Sequence, residues 1–309
     1  VPTIALTGGT GFVGRVIAER IAFRAPGSEL RVLVRDPGHP AARALPQTAR
    51  RIHGDLGNRA ALDALVTGCD AVVHIAGAIA GNRQADFERV NVTGTRLVLE
   101  AVRRHAETAH FIHMSSLAAR EPGLSWYSAS KRAGEEMVAS RARHWSALRP
   151  PAVYGPSDPA LAGFWRMLAR GWLIQVGPEQ ARFSMLHVDD LAEAVQQLLD
   201  SGPVGQTLEL AGDQPDGGWS WPALAELAAR VRSGPVRRLA VPAFLLRLAA
   251  SASLRLGRAT GRPRVLTPPK ARELIHPDWV CDNRPIARIL NWNPHIPLRR
   301  ALDTLPGWS

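Results

Sequence analysis

The chain has 309 residues, 46% of them hydrophobic, with 38 Lys and Arg against 27 Asp and Glu and a net charge of +11. Two distant cysteines, Cys69 and Cys281, exclude a disulfide framework or a cysteine zinc site and suit a reducing, cytoplasmic setting. The positive charge is almost all arginine, spread through helical segments with no basic run of the kind a nucleic-acid arm carries. It reads as a solvated surface able to attract an anionic cofactor, with no nucleic-acid partner.

In chain order, the apolar run Ile4-Ala5-Leu6 leads into Thr7-Gly8-Gly9-Thr10-Gly11-Phe12-Val13-Gly14, followed by a predicted helix from Phe12 to Phe23. Strand, glycine turn and helix start make a phosphate cradle, because glycines let the backbone approach a diphosphate and the helix start offers free N–H groups. The spacing fits both Gly9-x-Gly11-x-x-Gly14 and Gly8-x-x-Gly11-x-x-Gly14, the dinucleotide fingerprint and a near variant of it. Next comes a strand from Leu30 to Arg35. Arg35 stands where such folds choose their cofactor, and its guanidinium favours the 2′-phosphate of NADP over the ribose of NAD, although Asp36 follows directly.

Further strands are expected at Arg51–His53 (closed by Gly54-Asp55-Leu56), Ala71–Ala76 (ending at Gly77), His110–Met114 (ending in Ser115-Ser116) and Trp145–Arg149. Helices are expected at Ala60–Val66, Phe87–His105 and Tyr127–Trp145. This alternation specifies an α/β fold with a doubly wound parallel sheet, the Rossmann arrangement. The glycine loop, Arg35, Asp55, Gly77, Ser115-Ser116 and Pro150-Pro151 all fall at the carboxyl ends of its strands, where ligands bind.

Beyond Pro150 the rhythm breaks, leaving a helix at Asp189–Asp200 and a strand at Gln206–Leu210. Residues 1–155 are expected to form the dinucleotide-binding domain, completed by elements within about 186–212, and residues 156–309 mostly a smaller substrate lobe. Ala240–Leu256 is the most apolar stretch. Arg247 and Arg255 interrupt it, it is too short to span a bilayer comfortably, and it fits a packed helix better than an interfacial one. No charged start followed by an apolar core marks a signal peptide.

Tyr127-Ser128-Ala129-Ser130-Lys131 carries chemistry. Tyr127 and Lys131 share a helix face, and an ammonium near a phenol lowers its pKa toward general acid–base use. Tyr127 is one of two tyrosines, and Lys131 and Lys270 are the only lysines.

These residues resemble the extended short-chain dehydrogenase/reductases, the NAD-dependent epimerase/dehydratases, over essentially the whole chain. Thr7-Gly8-x-x-Gly11-x-x-Gly14 is similar to the family's cofactor loop, with Phe12 and Val13 in it. Gly54-Asp55-Leu56 resembles the adenine contact, and His74-x-Ala76-Gly77 the strand end under the adenosine ribose. Asn91 matches an asparagine that props the catalytic lysine, and Tyr127-x-x-x-Lys131 the catalytic pair. Arg149-Pro150-Pro151-Ala152-Val153-Tyr154-Gly155-Pro156 resembles the segment lining the nicotinamide, while His187-Val188-Asp189-Asp190-Leu191-Ala192 and Leu290-Asn291-Trp292-Asn293-Pro294 resemble two recurring motifs of the extended branch.

The resemblance implies hydride transfer at a hydroxyl or carbonyl carbon, with Tyr127 exchanging a proton and Lys131 binding the nicotinamide ribose. Ser116, with Ser115 beside it, would bond the substrate oxygen. A small-molecule substrate and a helix-paired homodimer are implied as well. Sugar-nucleotide members carry a phosphate-gripping arginine where this chain has Phe183, with Arg182 one residue out of register. That departure weighs against a sugar nucleotide without removing it, and leaves first an NAD(P)-dependent oxidoreductase acting on a hydroxyl or ketone of a small molecule. A sugar-nucleotide epimerase or dehydratase with tightly held NAD and a non-catalytic cofactor-binding accessory subunit remain alternatives. His187 is expected to be structural, and Trp165, Trp172, Trp219 and Trp221 to pack, with one or two lining an apolar pocket.

Overall fold

A computed structural model describes residues 1–308. Its strands are β1 (Thr3–Thr7), β2 (Glu29–Val34), β3 (Arg50–His53), β4 (Ala71–His74), β5 (His110–Met114), β6 (Trp145–Arg149), β7 (Ala152–Tyr154), β8 (Trp172–Val176), β9 (Arg182–Phe183), β10 (Met185–His187), β11 (Thr207–Glu209), β12 (Trp219–Ser220), β13 (Arg237–Val241) and β14 (Asp278–Trp279). Seven of them form one sheet in the order β11-β6-β5-β4-β1-β2-β3, with every pairing parallel. Because side chains alternate across a strand, neighbours in sequence enter opposite cores. Leu6, Val32, Val73 and Ile112 pack with Ile17, Leu191 and Trp292 on one face. Ala5, Leu33, Val72 and Phe111 pack with Leu62, Val98 and Val138 on the other. The sheet order reverses between β4 and β1, and that switch point opens the crevice in which such sheets hold ligands.

The stretch expected as one helix from Phe87 is built in three parts: an α-turn Gln84–Phe87, a π-helical segment Glu88–Gly94 and an α-helix Thr95–His105. Such wide turns often mark functional sites, and this one carries Asn91. The helix bearing Tyr127 and Lys131 runs Trp126–Arg141, with the Ser125 hydroxyl accepting from the Ser128 N–H at its start. It ends before Trp145, which belongs to β6.

Beyond β6 the small sheets β7–β10, β12–β9–β14 and β8–β13 build the C-terminal part, while β11 returns to the edge of the main sheet. The two recurring motifs meet there. The Trp292 indole donates to the Asp190 carbonyl (3.2 Å), and the buried Asp190 carboxylate accepts from the His295 and Ile296 N–H groups at 3.0 and 3.3 Å. Trp165 and Trp219 are core residues, Trp221 lies against Phe183 (4.9 Å between ring centroids), and Trp172 is exposed. No helix among the described residues is long and apolar enough to cross a membrane.

Candidate active site

The glycine loop is shaped by steric need at two positions. Gly8 has φ +77°, and a Cβ there would lie 2.6 Å from the Ala76 nitrogen, so this turn presses directly on the end of β4. A Cβ on Gly14 would lie 2.1 Å from the Gly8 carbonyl oxygen, so the first turn of the helix can seat against the loop only through glycine. Gly11 is the N-cap of the helix Phe12–Arg24, has no side-chain capping bond, and no acid stands in the first turn. The amides around Phe12 and Val13 are thereby left to an anion, with the positive end of the helix dipole behind them. The Phe12 ring lies against Gly155, just past β7, so the segment Pro150–Gly155 flanks the same crevice. Val153 packs in the core beneath it and Pro150 is buried, its carbonyl accepting from the Leu117 N–H at 2.8 Å. A cradle closed to any Cβ and rich in free amides fits a dinucleotide diphosphate.

Around it lie the other residues expected to touch a cofactor. Arg35 is exposed at the end of β2, and its guanidinium makes no hydrogen bond or ion pair among the described residues. The Asp36 carboxylate turns away to accept from the Gly38 N–H at 2.9 Å, so the acid that follows Arg35 does not neutralise it. Asp55 is exposed and accepts from Gly57 and Asn58 N–H groups at 2.8 and 3.1 Å, which fixes the turn after β3 and leaves Leu56 against the π-helical segment at Gly94. The Ala76 N–H donates to the Thr7 hydroxyl (3.3 Å), tying the end of β4 to β1. Gly77 sits close to both the Asn91 amide oxygen and the Lys131 ammonium.

Asn91 is buried and fully bonded. Its Oδ1 accepts from the Ala78 N–H (2.7 Å), while its Nδ2 donates to the Ala78 carbonyl (3.1 Å) and the Ser130 hydroxyl (2.8 Å). It clamps the loop after β4 to the helix Trp126–Arg141, and reaches Lys131 only through that neighbour. The two serines after β5 part company. Ser115 is buried and donates to Glu135, which also holds Arg149 in a two-pronged ion pair (2.8 and 2.6 Å). Ser116 starts the short 3-10 turn Leu117–Arg120, its hydroxyl accepting from the Ala118 N–H at 3.2 Å and lying close enough to the Tyr127 phenol to influence its ionisation.

The electrostatics differ from the sequence expectation. Burial pushes the Tyr127 phenol up to about 12, with the nearby Ser116 hydroxyl working against that and the Glu273 carboxylate adding to it. Lys131 is not among the groups that shift it, and its buried ammonium instead donates to the Met114 carbonyl at 2.5 Å. Burial also drops Lys131 to about 8, with Glu135 opposing. Beneath it the buried His74 and His113 stack 5.7 Å apart. Burial holds His74 down at about 3 and His113 well below its ordinary value.

Three residues were missed in the sequence because packing alone brings them here. Trp126, next to Tyr127, shares a narrow cleft with Ile79, Phe87, Val265 and Lys270. Lys270 and Glu273, on the helix Pro268–Leu274, form an ion pair beside the phenol, and the Ser125 hydroxyl donates to Glu273 at 2.6 Å. The scarcity of lysine was the one signal that could have drawn attention to Lys270. His187 caps the helix Val188–Ser201 and packs edge-on against Tyr154, a structural position. The exposed Arg182 bonds its guanidinium to the Gln180 and Ala181 carbonyls, while Phe183 turns inward to Trp221.

Residues 4–211 match the model of the NAD dependent epimerase/dehydratase family. The chain is 40% identical over 287 residues to a ceramide reductase of Caulobacter vibrioides, covering 92% of this chain and 87% of that protein. It is 27% identical to the NADH-ubiquinone oxidoreductase 40 kDa subunit of Neurospora crassa, over 68% of this chain and 56% of that subunit. Its fold matches the UDP-glucuronic acid 4-epimerase of Bacillus cereus solved with NAD, at a TM-score of 0.73, 17% identity and 99% and 98% coverage of the two chains.

Proposed function

The chain belongs to the NAD-dependent epimerase/dehydratase family, whose enzymes are oxidoreductases, epimerases and dehydratases, and within it we propose that it is an NAD(P)H-dependent reductase of a ketone on an apolar, ceramide-like lipid. The observation that carries this reading is the narrow cleft in which Tyr127 meets the apolar side chains of Ile79, Phe87, Trp126 and Val265, with Ser125, Thr267 and Lys270 completing its wall. The inward Phe183, in place of a phosphate-gripping cation, supports it, as does the ceramide reductase relative matched along nearly its whole length.

When bound, the reduced nicotinamide supplies the hydride. The residues of this chain supply position and a proton. The Ser116 hydroxyl holds the carbonyl oxygen, and the Tyr127 phenol, protonated at neutral pH because burial holds it up at about 12, donates its proton to that oxygen as it becomes a hydroxyl. A phenol this weakly acidic suits reduction better than the reverse reaction, which requires its anion. Lys131, close to Gly77 at the end of β4, is placed to hold the nicotinamide ribose. Gly8, Gly11 and Gly14 with the amides of Phe12 and Val13 would hold the diphosphate, Asp55 and Leu56 the adenine, Ala76 and Gly77 the adenosine ribose, and Pro150 and Val153 the nicotinamide flank. Arg35 would favour NADP. The expected cytoplasmic setting rests on the two buried free thiols alone.

The test is NADPH consumption with a panel of long-chain ketones and nucleotide sugars. The reading requires turnover with the ketones. Tight retention of NAD with interconversion of a nucleotide sugar and no net NAD(P)H consumption would replace it with the epimerase reading.

A further inference from the structure

Residues 227–272 contain ten arginines and one lysine and no Asp or Glu, so these 46 residues account for the whole net charge of +11 and leave 27 basic and 27 acidic residues elsewhere. The charge is therefore not spread evenly, as the overall composition suggests, but gathered in one segment. At its centre is the helix Ala243–Thr260. Leu246, Ala250, Leu254 and Gly257 are its buried stripe. The opposite face is apolar and open: Phe244 and Leu248 are each 66% exposed, Leu256 53% and Leu245 45%, with Ala252 between them. At 3.6 residues per turn, Arg247 and Arg258 fall along one edge of that face and Arg255 lies beside Phe244 and Leu248. All three are exposed and have no acidic partner among the described residues. Large apolar side chains open to water in a row, bordered by unpaired arginines, are the pattern of a helix that lies in a membrane interface.

The helix also has a defined place. Past its C-terminus the chain turns back over the loop after β4, where the Gly81 N–H donates to the Arg264 carbonyl at 3.0 Å and the Asn82 amide to the Arg262 carbonyl at 2.9 Å. Val265, one residue on, is 54% exposed and lines the Tyr127 cleft together with Ile79, which is 61% exposed. Val265 and Ile79 thus place exposed apolar side chains at the mouth of the cleft, next to the segment that follows the helix.

We propose that the helix Ala243–Thr260 docks the protein onto an anionic phospholipid bilayer, with Phe244, Leu245, Leu248 and Leu256 entering the acyl boundary and Arg247, Arg255 and Arg258 meeting the lipid phosphates. The docking does not depend on the reductase reading, since it is a property of the surface and not of the reaction. The arginines select anionic lipid and the apolar face holds the helix there. The association is therefore weakened by salt, which screens the first interaction and not the second.

The test is flotation of the full chain with vesicles of phosphatidylcholine alone or with phosphatidylglycerol added. Binding is expected to the anionic vesicles and to be at least about tenfold weaker to the neutral ones. The double variants Phe244→Asp/Leu248→Asp and Arg247→Glu/Arg255→Glu should each lose at least about tenfold in binding while keeping the thermal transition and NADPH affinity of the parent. Should a variant not fold, hydrogen–deuterium exchange of the parent serves, with protection of residues 243–260 by anionic vesicles as the expected result. No vesicle binding, binding unchanged by both variants, or a stable dimer that Phe244→Asp dissociates while vesicles are ignored would overturn the proposal, the last by showing that a second copy covers this face.

Discussion

The Lys270 ammonium stands 5.1 Å from the centroid of the Tyr127 ring, over the face of the phenol. Tyr127 comes from the first helix after Ser116 and Lys270 from a helix near the other end of the chain, so the site closes only when both halves are in place. The two lysines of the chain have different places, and only Lys270 lines the cleft. Lys270 lies on the ring and pairs with Glu273, while Lys131 turns toward the carboxyl end of β5 through the Met114 carbonyl.

This division predicts which kinetic constant follows pH. Lys131 loses its proton as pH rises through about 8, whereas Tyr127 keeps its own until about 12. The KM for NADPH should therefore rise on the alkaline side of pH 8, while kcat for reduction holds. Steady-state kinetics on either side of that pH check it. A kcat that falls there while KM stays level would assign the ionisation elsewhere.

Gly14→Ala should weaken cofactor binding by at least about tenfold, roughly 1.4 kcal/mol. The added methyl would sit 2.1 Å from the Gly8 carbonyl oxygen and must push the helix start off the loop. Titration calorimetry with NADPH reads this directly, and unchanged affinity would show that the diphosphate lies elsewhere.

Arg35→Ala tests the cofactor preference alone. With Asp36 turned to Gly38, the Arg35 guanidinium is free to meet a 2′-phosphate, and a lost charge-assisted bond should weaken NADP roughly tenfold more than NAD. Equal losses for the two cofactors would remove the assignment.

The buried histidines predict acid lability. Burial holds His74 at about 3 and His110 at about 4, against 6.5 for an unfolded chain. Above pH 6.5 both states carry neutral rings and stability is full. As pH falls below 6.5 the unfolded chain takes up protons that the folded one refuses, so stability drops by up to about 1.4 kcal/mol per pH unit for each histidine, down to the folded values. Urea midpoints measured across that window should fall, and less steeply in His110→Gln. A midpoint level down to pH 4 would contradict the account.

The main sheet was legible because its strands are short apolar runs separated by helices of ordinary spacing, and the glycine loop because its four glycines stand between a strand and a helix. What could not be read depends on packing across the chain. The meeting of Asp190 with the segment around Trp292, and of Glu273 with Ser125, joins residues more than a hundred positions apart. The Tyr127 phenol was expected to be made more acidic by Lys131, four residues away. Helical spacing fixes a shared face but says nothing of burial, and burial raises the phenol instead. The stretch Ala240–Leu256 was expected to pack, and it does so only along the Leu246–Leu254 stripe. Its composition does not distinguish one buried face from two.

The central claim is hydride transfer to a lipid ketone with Tyr127 as proton donor. It is tested most directly by supplying NADPH carrying deuterium at the transferable C4 position together with a long-chain ketone of the ceramide class, and weighing the product. The account predicts an alcohol that gains one deuterium per NADPH consumed, with the rate reduced by about a hundredfold or more in Tyr127→Phe while NADPH affinity is kept. An alcohol without deuterium, or an undiminished rate in Tyr127→Phe, would contradict it.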